Sequence, residues 1–182
     1  MGYKMITGHV FIAKSLDGYI SKLDGGLDWL INRDTSGEDH GYNDFIKDKD
    51  GIVMGRKTFE KVLTFEPWPY SEPVVVMSKT FSPEQVPEKL KDRVRILNKM
   101  PAQLLKDLET WGWRNVYIDG GLIIQSFLRE KLISDMVITT VPILLGEGRK
   151  LFGSLNEEIS LTHVRTKAFP SGLVQSTYKV NQ

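Results

Sequence analysis

The segment VYIDGGLIIQSFL, residues 116–128, predicts a strand, a turn of two glycines and a helix. Its first three residues form a short apolar run, which is typical of a buried parallel strand. After Gly120 and Gly121, apolar side chains recur at helical spacing, so one face of the helix is expected to pack on a sheet. The segment therefore predicts a strand–turn–helix unit of an α/β fold.

The two glycines of this turn allow two interpretations. A helix that starts directly after them offers free backbone N–H groups and the positive end of its dipole, and no Cβ obstructs an approaching pyrophosphate. In an ordinary connection, the glycines would only permit close packing of strand and helix. The chain lacks a full G-x-G-x-x-G motif, so the turn alone does not decide between a phosphate site and a packing device.

Length and composition are those of an ordinary globular protein. The chain has 182 residues, which suit one domain over 1–182 with a substantial core. Hydrophobic residues make up 41% and charged residues 26%, and the net charge is +1. A charge so close to zero predicts no broad attraction to nucleic acid or to an anionic membrane.

The residue inventory excludes several kinds of site. The chain has no cysteine, which removes disulfides, thiolate zinc sites and cysteine nucleophiles. Its histidines, His9, His40 and His163, are not at ligand spacing, so no metal is expected. There is no targeting pattern, and no apolar run approaches the roughly 20 residues of a membrane span. These features predict a cytoplasmic protein.

Apolar runs and turn residues divide the rest of the chain into alternating strands and helices. Strands are predicted at 10–13, 52–54, 74–77, 94–97, 116–118, 136–141, 159–168 and 173–180. Helices are predicted at 27–31, 42–46, 56–62, 83–91, 101–111 and 122–131. Such alternation followed by a hairpin predicts an α/β fold, mostly parallel with an antiparallel C-terminal hairpin and with helices on the sheet faces.

Three of these strands end in residues that suit an anion. The residues concerned are Gly55, Arg56, Lys57 and Thr58 after one strand, Ser78, Lys79 and Thr80 after another, and Gly120 and Gly121 after the third. In a parallel sheet such ends lie along one edge, where ligands bind. Arg56 and Lys79 suit a phosphate monoester. Cations are unfavourable at a helix start unless an anion is bound there, which argues against a merely solvated turn at Arg56. Residues 78–80 are equally consistent with a plain polar loop.

Several motifs resemble those of a known family. Residues 52–60, IVMGRKTFE, and residues 118–121, IDGG, are similar to the two cofactor-binding turns of dihydrofolate reductases. Residues 14–20, KSLDGYI, and 141–148, VPILLGEG, resemble signatures of the C-terminal reductase domain of the bifunctional riboflavin-biosynthesis protein and of its stand-alone relatives. The motifs occur in matching order over nearly the whole chain. The resemblance implies a dihydrofolate-reductase-like sheet, an NADPH-dependent reductase and a homodimer.

The same resemblance implies roles for individual residues. Arg56, Lys57 and Thr58 would hold cofactor phosphates, Ser78 and Lys79 would lie by the adenosine 2′-phosphate, and Gly120 and Gly121 under the pyrophosphate. Ala13 would lie near the nicotinamide. The chain departs from the bifunctional protein in lacking the cysteines of its zinc deaminase domain, so only the reductase step is expected.

The proton donor and the substrate-binding residues are less clearly marked. Asp17 follows the first strand beside the expected nicotinamide, and Asp39 lies at about the spacing of the dihydrofolate reductase carboxylate. Both are candidate catalytic acids, although turn formation explains Asp17 and helix capping explains Asp39. Trp29 and Tyr42 are candidates to stack on a planar substrate, or they cover the edge of the core.

The sequence therefore supports an NADPH-dependent reductase that transfers a hydride to a pterin-like or ribosylaminopyrimidine-like substrate. Two alternatives stay open. One is a nucleotide-binding module that has lost catalysis. The other is a reductase of an unrelated small carbonyl or nitro compound.

Overall fold

The computed structural model describes residues 5–181. In chain order its strands are β1 (Thr7–Ser15), β2 (Tyr19–Ser21), β3 (Gly51–Gly55), β4 (Val74–Met77), β5 (Val94–Leu97), β6 (Asn115–Asp119), β7 (Ile133–Val141), β8 (Arg149–Lys150), β9 (Leu161–Ala168) and β10 (Val174–Val180). Its α-helices are α1 (Asp28–Ile31), α2 (Tyr42–Ile46), α3 (Arg56–Val62), α4 (Pro101–Thr110) and α5 (Gly121–Arg129). Up to β7, α-helices lie between most of the sheet strands, as the sequence pattern predicts, whereas only 3-10 turns lie between β4 and β5.

One eight-stranded sheet organises the chain, with the strand order β5-β4-β3-β6-β1-β7-β10-β9. The strands from β5 to β7 pair in parallel, and β10 pairs antiparallel with both β7 and β9. The prediction of a mostly parallel sheet with an antiparallel C-terminal hairpin is confirmed. A second, two-stranded ribbon joins β2 to β8, which brings residues 19–21 against residues 149–150.

Helices cover both faces of the sheet, as predicted. On one face, α4 and α5 bury apolar side chains such as Leu104, Leu108 and Phe127 against the sheet. On the other face, α3 contributes Phe59, and Phe45 of α2 packs against the same cluster. The helical spacing of these apolar residues is what lets each helix present one continuous stripe to the sheet.

The structure differs from the sequence prediction at residues 83–91, where one helix was expected. Two separate 3-10 turns occupy this region, Pro83–Gln85 and Glu88–Leu90. Pro87 lies between them, and proline disfavours a helical conformation of the residue before it. Val86 is accordingly extended, with ψ of 127°. The short strands β2 and β8 were not predicted because two or three residues carry too little pattern.

Candidate functional site

The carboxyl ends of four neighbouring strands, in the order β4, β3, β6 and β1, form one edge of the sheet. Gly55 at the end of β3 lies opposite Met77, and Met54 lies opposite Asp119. This edge brings together the residues selected from the sequence for cofactor binding: Ala13, Gly55, Arg56, Lys57, Thr58, Ser78, Lys79, Thr80, Gly120 and Gly121. Ligands of open α/β sheets bind outside this edge, and we call it the rim.

Arg56 links two strand ends of the rim. Its Nη1 donates to Thr80 Oγ1 at 2.9 Å, so the start of α3 is joined to the loop that follows β4. Its Nε donates to Glu60 Oε1 at 2.7 Å, one turn further along α3. The guanidinium is thus held in place at the rim, and its second terminal nitrogen is left for a ligand.

The loop after β4 provides a hydroxyl and a cation. Ser78 Oγ accepts hydrogen bonds from the backbone N–H of Thr80 at 3.2 Å and of Phe81 at 2.9 Å, which fixes the turn. The Ser78 hydroxyl proton remains available to an acceptor. Lys57 and Lys79 are both exposed and form no ion pair within residues 5–181. Three cations therefore stand at the rim, and only Arg56 is paired.

Gly120 is required by the packing of the protein itself. It has φ of 91°, a left-handed conformation that favours glycine. A Cβ at this position would collide with Thr58 Oγ1. The turn before α5 therefore presses against the first turn of α3, and the two helix starts lie side by side at the rim.

Gly121 is also in close contact with protein backbone. A Cβ on it would lie 2.7 Å from the carbonyl oxygen of Lys150 and 3.0 Å from Ile20 Cδ1. The ribbon of β2 and β8 thus covers the side of this glycine that a side chain would occupy. This contact supports the packing interpretation for Gly121. Any contact of this turn with a pyrophosphate would be made by its backbone N–H groups.

The rim has the features that a ligand with several phosphates needs. Neither α3 nor α5 has a side chain that caps its N-terminus, so the first N–H groups of α5 are not occupied by a side-chain acceptor. Arg56, Lys57 and Lys79 supply positive charge. Within residues 5–181, no group of three histidine or carboxylate side chains is placed to bind a metal ion. The donors present therefore fit the phosphates of a dinucleotide.

Asp17 holds a loop in place. Its carboxylate accepts hydrogen bonds from Ser15 Oγ at 2.6 Å, from Leu145 N at 3.1 Å and from Gly146 N at 2.8 Å. The hydrogen bond from Ser15, together with those from Gly146 and Leu145, lowers the pKa of Asp17. A proton donor needs a raised pKa, so the geometry favours the structural interpretation of this residue.

Asp39 has a local partner as well. It is exposed, and its Oδ1 accepts a hydrogen bond from Gly41 N at 2.8 Å. Gly41 is the residue that precedes α2, so Asp39 shapes the entry to this helix. The contact agrees with the capping interpretation made from the sequence.

Asp119 is a candidate acid that the sequence analysis did not select. It is the last residue of β6, is only partly exposed, and directly precedes the two glycines. Removal of the carboxyl from water raises the pKa of Asp119 to about 6, although the hydrogen bond from Gly120 N and the nearby Tyr117 hydroxyl act in the opposite direction. Asp119 therefore keeps its proton to a higher pH than an ordinary aspartate does.

Three tyrosines surround this carboxyl. Tyr42, Tyr70 and Tyr117 each lie close enough to Asp119 for its charge to raise their pKa, in addition to the larger effect of burial. Tyr117 donates its hydroxyl to the carbonyl oxygen of Phe11 at 3.0 Å. A carboxyl among phenols and aromatic rings is poorly solvated, which favours its neutral form.

The two aromatic residues selected for substrate binding occupy different places. Trp29 is 7% exposed and packs in a cluster with Val141, Phe169 and Leu173, with Ala13 at its edge. Tyr42 contacts Phe11 edge to face at 5.6 Å and lies next to Asp119. Trp29 is thus largely enclosed beside Ala13, whereas Tyr42 belongs to the surroundings of the acid.

The comparison with known proteins identifies one family. The sequence profile of the RibD C-terminal domain matches residues 7–175. Two proteins of Bacillus subtilis (strain 168) are similar over almost their whole length. The uncharacterized protein YwjB is 34% identical over 162 residues, which cover 88% of this chain and 90% of YwjB. The uncharacterized protein YyaP is 28% identical over 178 residues, with 93% of each chain covered.

Solved structures give the same result. A candidate riboflavin biosynthesis protein from Shewanella sp. PV-4 is 41% identical and superimposes with a TM-score of 0.90, covering 97% of this chain and 100% of the other. Dihydrofolate reductase from Enterococcus faecalis, solved with NADP(H), is 17% identical with a TM-score of 0.67 and 97% coverage of both chains. The second likeness concerns the fold alone. The expected dihydrofolate-reductase-like fold is confirmed.

Proposed function

Because the chain belongs to the RibD C-terminal domain family, we propose that it is an NADPH-dependent oxidoreductase acting on a C=N or C=O group. The proposed substrate is a pterin-like or ribosylaminopyrimidine-like ring. The observation that carries this proposal is the position of Asp119, a carboxyl with a pKa of about 6 at the end of β6, directly before the glycine turn. Substrate reduction needs a proton as well as a hydride, and Asp119 would supply it.

The rim residues would hold the cofactor. Arg56 and Lys79 would bind the adenosine 2′-phosphate with Ser78, and Lys57, Thr58 and the N-terminus of α5 would bind the pyrophosphate. The nicotinamide would lie by Ala13, at the end of the central strand β1. Bound NADPH supplies the hydride, and the chain supplies binding and orientation.

Asp119 acts as the general acid in this proposal. At pH values near 6 a large fraction of its carboxyl is protonated, so it can give a proton to the substrate heteroatom that receives electrons. Burial of the carboxyl, with Tyr42 close to it, maintains its raised pKa. Trp29 closes the apolar side of the site next to Ala13, which excludes water from the transfer position.

A panel of acceptors tests the proposal. The pure protein is incubated with NADPH and with pterins, ribosylaminopyrimidines and simple carbonyl compounds, and nicotinamide absorbance is followed. We expect consumption of NADPH with a ring acceptor and at least 100-fold slower consumption with D119N. NADPH binding without consumption by any acceptor would instead indicate the catalytically silent nucleotide-binding module.

We also propose a homodimer. β9 lies at the edge of the sheet, and all eight of its residues are exposed. Among them Leu161 is 42% and Val164 50% exposed, and Val174 on the neighbouring strand is 38% exposed. An uncovered strand edge with apolar side chains is a surface that a second copy can pair with.

No helix within residues 5–181 combines the length and the apolar character that a membrane crossing requires.

A further inference from the structure

A small cavity lies where β4 and β5 begin, at the opposite edge of the sheet from the rim. Val74 opens β4 and Met77 ends it, so about 10 Å of strand, at about 3.3 Å per residue, separates the cavity from the rim. The cavity has a volume of about 170 Å³, and its walls come from the two strands and from the loop after α4, among them Val74, Val75, Arg93, Arg95, Trp111 and Trp113. None of these is a rim residue, so the cavity is a separate place in the fold.

Two indole rings form one apolar wall of the cavity. Trp111 and Trp113 meet edge to face, with their ring centroids 6.0 Å apart. The loop that carries them is fixed to the residue before β3, because Asp50 Oδ2 accepts hydrogen bonds from Arg114 N at 2.6 Å and from Asn115 N at 2.8 Å. The wall therefore exists before any ligand binds, which lowers the entropy cost of binding.

The first residue of β3 makes room for one of these rings. Gly51 is buried, and a Cβ at this position would collide with the Trp113 ring. A glycine inside a strand weakens it, because it has no side chain to pack. At Gly51 the indole occupies the space that a side chain would take, so the packing of β3 itself holds Trp113 in place.

Arg95 brings a positive charge to the other side of this wall. Its guanidinium carbon lies over the Trp111 ring, 4.6 Å from the centroid. Within residues 5–181, Arg95 forms neither a hydrogen bond nor an ion pair. A guanidinium that stacks on an aromatic ring keeps its N–H edge free for the two oxygens of a carboxylate. Arg95 is exposed, so a ligand can reach this edge from solvent.

The charges around the cavity favour an anion. Among the described residues that line it, Arg93 and Arg95 are cations and Asp92 is an acid, so the lining has a net positive charge. Arg93 Nη1 donates to the carbonyl oxygen of Tyr70 at 3.3 Å, which leaves its charge without a carboxylate partner. A cationic ligand would therefore be repelled by two guanidinium groups.

The volume of the cavity limits the size of its ligand. An engineered cavity of about 150 Å³ holds one benzene molecule. The volume of about 170 Å³ therefore suits one six-membered ring, with a polar substituent at the exposed side. The ring would contact the indoles and the apolar side chains of Val74 and Val75, which line the same space.

We propose that this cavity binds a single-ring aromatic carboxylate, with its ring against Trp111 and Trp113 and its carboxylate on the N–H edge of Arg95. A ring without a charge would leave the guanidinium edge without an acceptor, and an anion without a ring would leave the indole wall uncovered. The site goes beyond the proposed reductase and does not depend on NADPH binding.

The test uses benzoate as the probe, with benzamide as its neutral isostere and acetate as the anion without a ring. Each is titrated into the full chain labelled with ¹⁵N, and the indole N–H resonances of the tryptophans are followed. We expect benzoate to bind at least tenfold more tightly than either comparison compound, because only benzoate makes both the ring contact and the charge-assisted hydrogen bond. Benzoate should shift the resonances of Trp111 and Trp113.

Two variants identify the residues. R95M should lower the affinity for benzoate at least tenfold, and W111L should lower it as well, because it removes part of the wall. R129M is the matched control, since Arg129 is also exposed and donates only to a backbone oxygen, that of Ser154 at 3.4 Å. It should bind benzoate as the parent does. Thermal melts show that each variant is folded.

Each contrary result overturns a stated part of the proposal. Equal affinities for benzoate and benzamide would remove the role of the carboxylate, and equal affinities of R95M and the parent would remove that of Arg95. Shifts confined to Trp29 and Trp68 would place benzoate elsewhere in the protein. If no resonance shifts at the highest soluble concentration of benzoate, the arginines serve only to protect the edge strand β5 from pairing with other chains, and the cavity is no binding site.

Discussion

Tyr117 and Asp119 are two residues apart on β6, so their side chains project from the same face of the sheet. On that face Tyr117 is buried in the apolar cluster that contains Phe59 and Met54. The strand thus carries a carboxyl to the end of an aromatic core, where burial raises the pKa of Asp119 to about 6 from an ordinary value of 3.8. A charged Asp119 is unfavourable for folding, whereas the protonated form is the one that would act as the acid in the proposed reaction.

We expect D119N to stabilise the protein at neutral pH. Because the folded-state pKa of Asp119 is raised, its favourable contribution is complete below about pH 4 and is lost as the pH rises through about 6. Asparagine does not titrate, so the variant should escape this loss and be more stable than the parent by about 1–3 kcal/mol at pH 7. Urea unfolding of both proteins from pH 4 to 8 measures the effect. If the free energies of unfolding of parent and variant change with pH in the same way over this range, Asp119 is not desolvated.

The same carboxyl should determine the pH dependence of hydride transfer. The rate in a single turnover is expected to fall about tenfold per pH unit above the pKa of Asp119, near 6, because the proton donor is lost. D119N should be slower by a factor of about 100 to 10,000 with unchanged NADPH affinity. Stopped-flow absorbance measures the rate. A rate that does not change between pH 5 and 8 argues for water as the donor.

The cations at the rim predict a preference for NADPH over NADH. Arg56 and Lys79 stand at adjacent strand ends, and a charge-assisted hydrogen bond contributes about 1.5–3 kcal/mol, enough for a tenfold or greater preference. R56Q should reduce that preference by about tenfold, whereas K89Q, which changes a lysine paired with Glu66, should not. Calorimetric titration with both cofactors checks this. Equal affinities in the parent would remove the 2′-phosphate assignment.

Replacement of Gly121 should destabilise the fold. In G121A the new Cβ meets the Lys150 carbonyl oxygen at 2.7 Å, and a backbone atom cannot rotate away as a side chain does. Overpacking of this kind costs about 1–3 kcal/mol. L122A provides the control, because Leu122 is 73% exposed. Urea unfolding gives the values, and a G121A protein as stable as L122A would mean that the ribbon of β2 and β8 moves freely.

Melting with NADPH then separates the two interpretations of the turn. If Gly121 serves only packing, the folded G121V protein should still gain as much melting temperature from NADPH as the parent does. If residue 121 is a glycine because its missing side chain makes room for the pyrophosphate, most of this gain should disappear. The contact with Lys150 makes the first result the expected one.

The proposed homodimer should depend on β9. Sedimentation at micromolar concentration is expected to give a dimer for the parent and a monomer for V164D, since Val164 lies on the exposed edge strand. L23D is the control: it changes an exposed leucine on the loop after β2, and this variant should stay dimeric. A monomeric parent would refute the proposal.

Much of the fold could be predicted because its signals are local. The apolar run before Gly120, the helix start after Gly55 and the hairpin around Gly172 each fit within about ten residues of sequence. Parallel strands then place their carboxyl ends at one edge, so the rim follows from the alternation of strands and helices. Residues 83–91 were mispredicted because Pro87 had a stronger effect than the apolar spacing.

The acid could not be found in this way. The raised pKa of Asp119 comes from burial at the end of β6, where Tyr42 and Tyr70 from distant parts of the chain lie close to it. Conversely, Asp17 follows the first strand as a catalytic acid would, but Leu145 and Gly146 from a remote loop occupy its oxygens. The sequence gives one hint: Asp119 is two residues after Tyr117, so both side chains lie on the same face of the strand, and Asp119 is the last residue of that strand.

We propose that hydride passes from NADPH to a substrate at this rim, with Asp119 as proton donor. The most direct test of this proposal uses NADPH deuterated at either face of C4, with a ribosylaminopyrimidine acceptor, and mass spectrometry of the product. We expect one deuterium in the product from only one of the two labelled cofactors, and at least 100-fold slower incorporation with D119N at unchanged NADPH affinity. Consumption of NADPH without deuterium in the product, or equal incorporation from both faces, would contradict hydride transfer at a single oriented site.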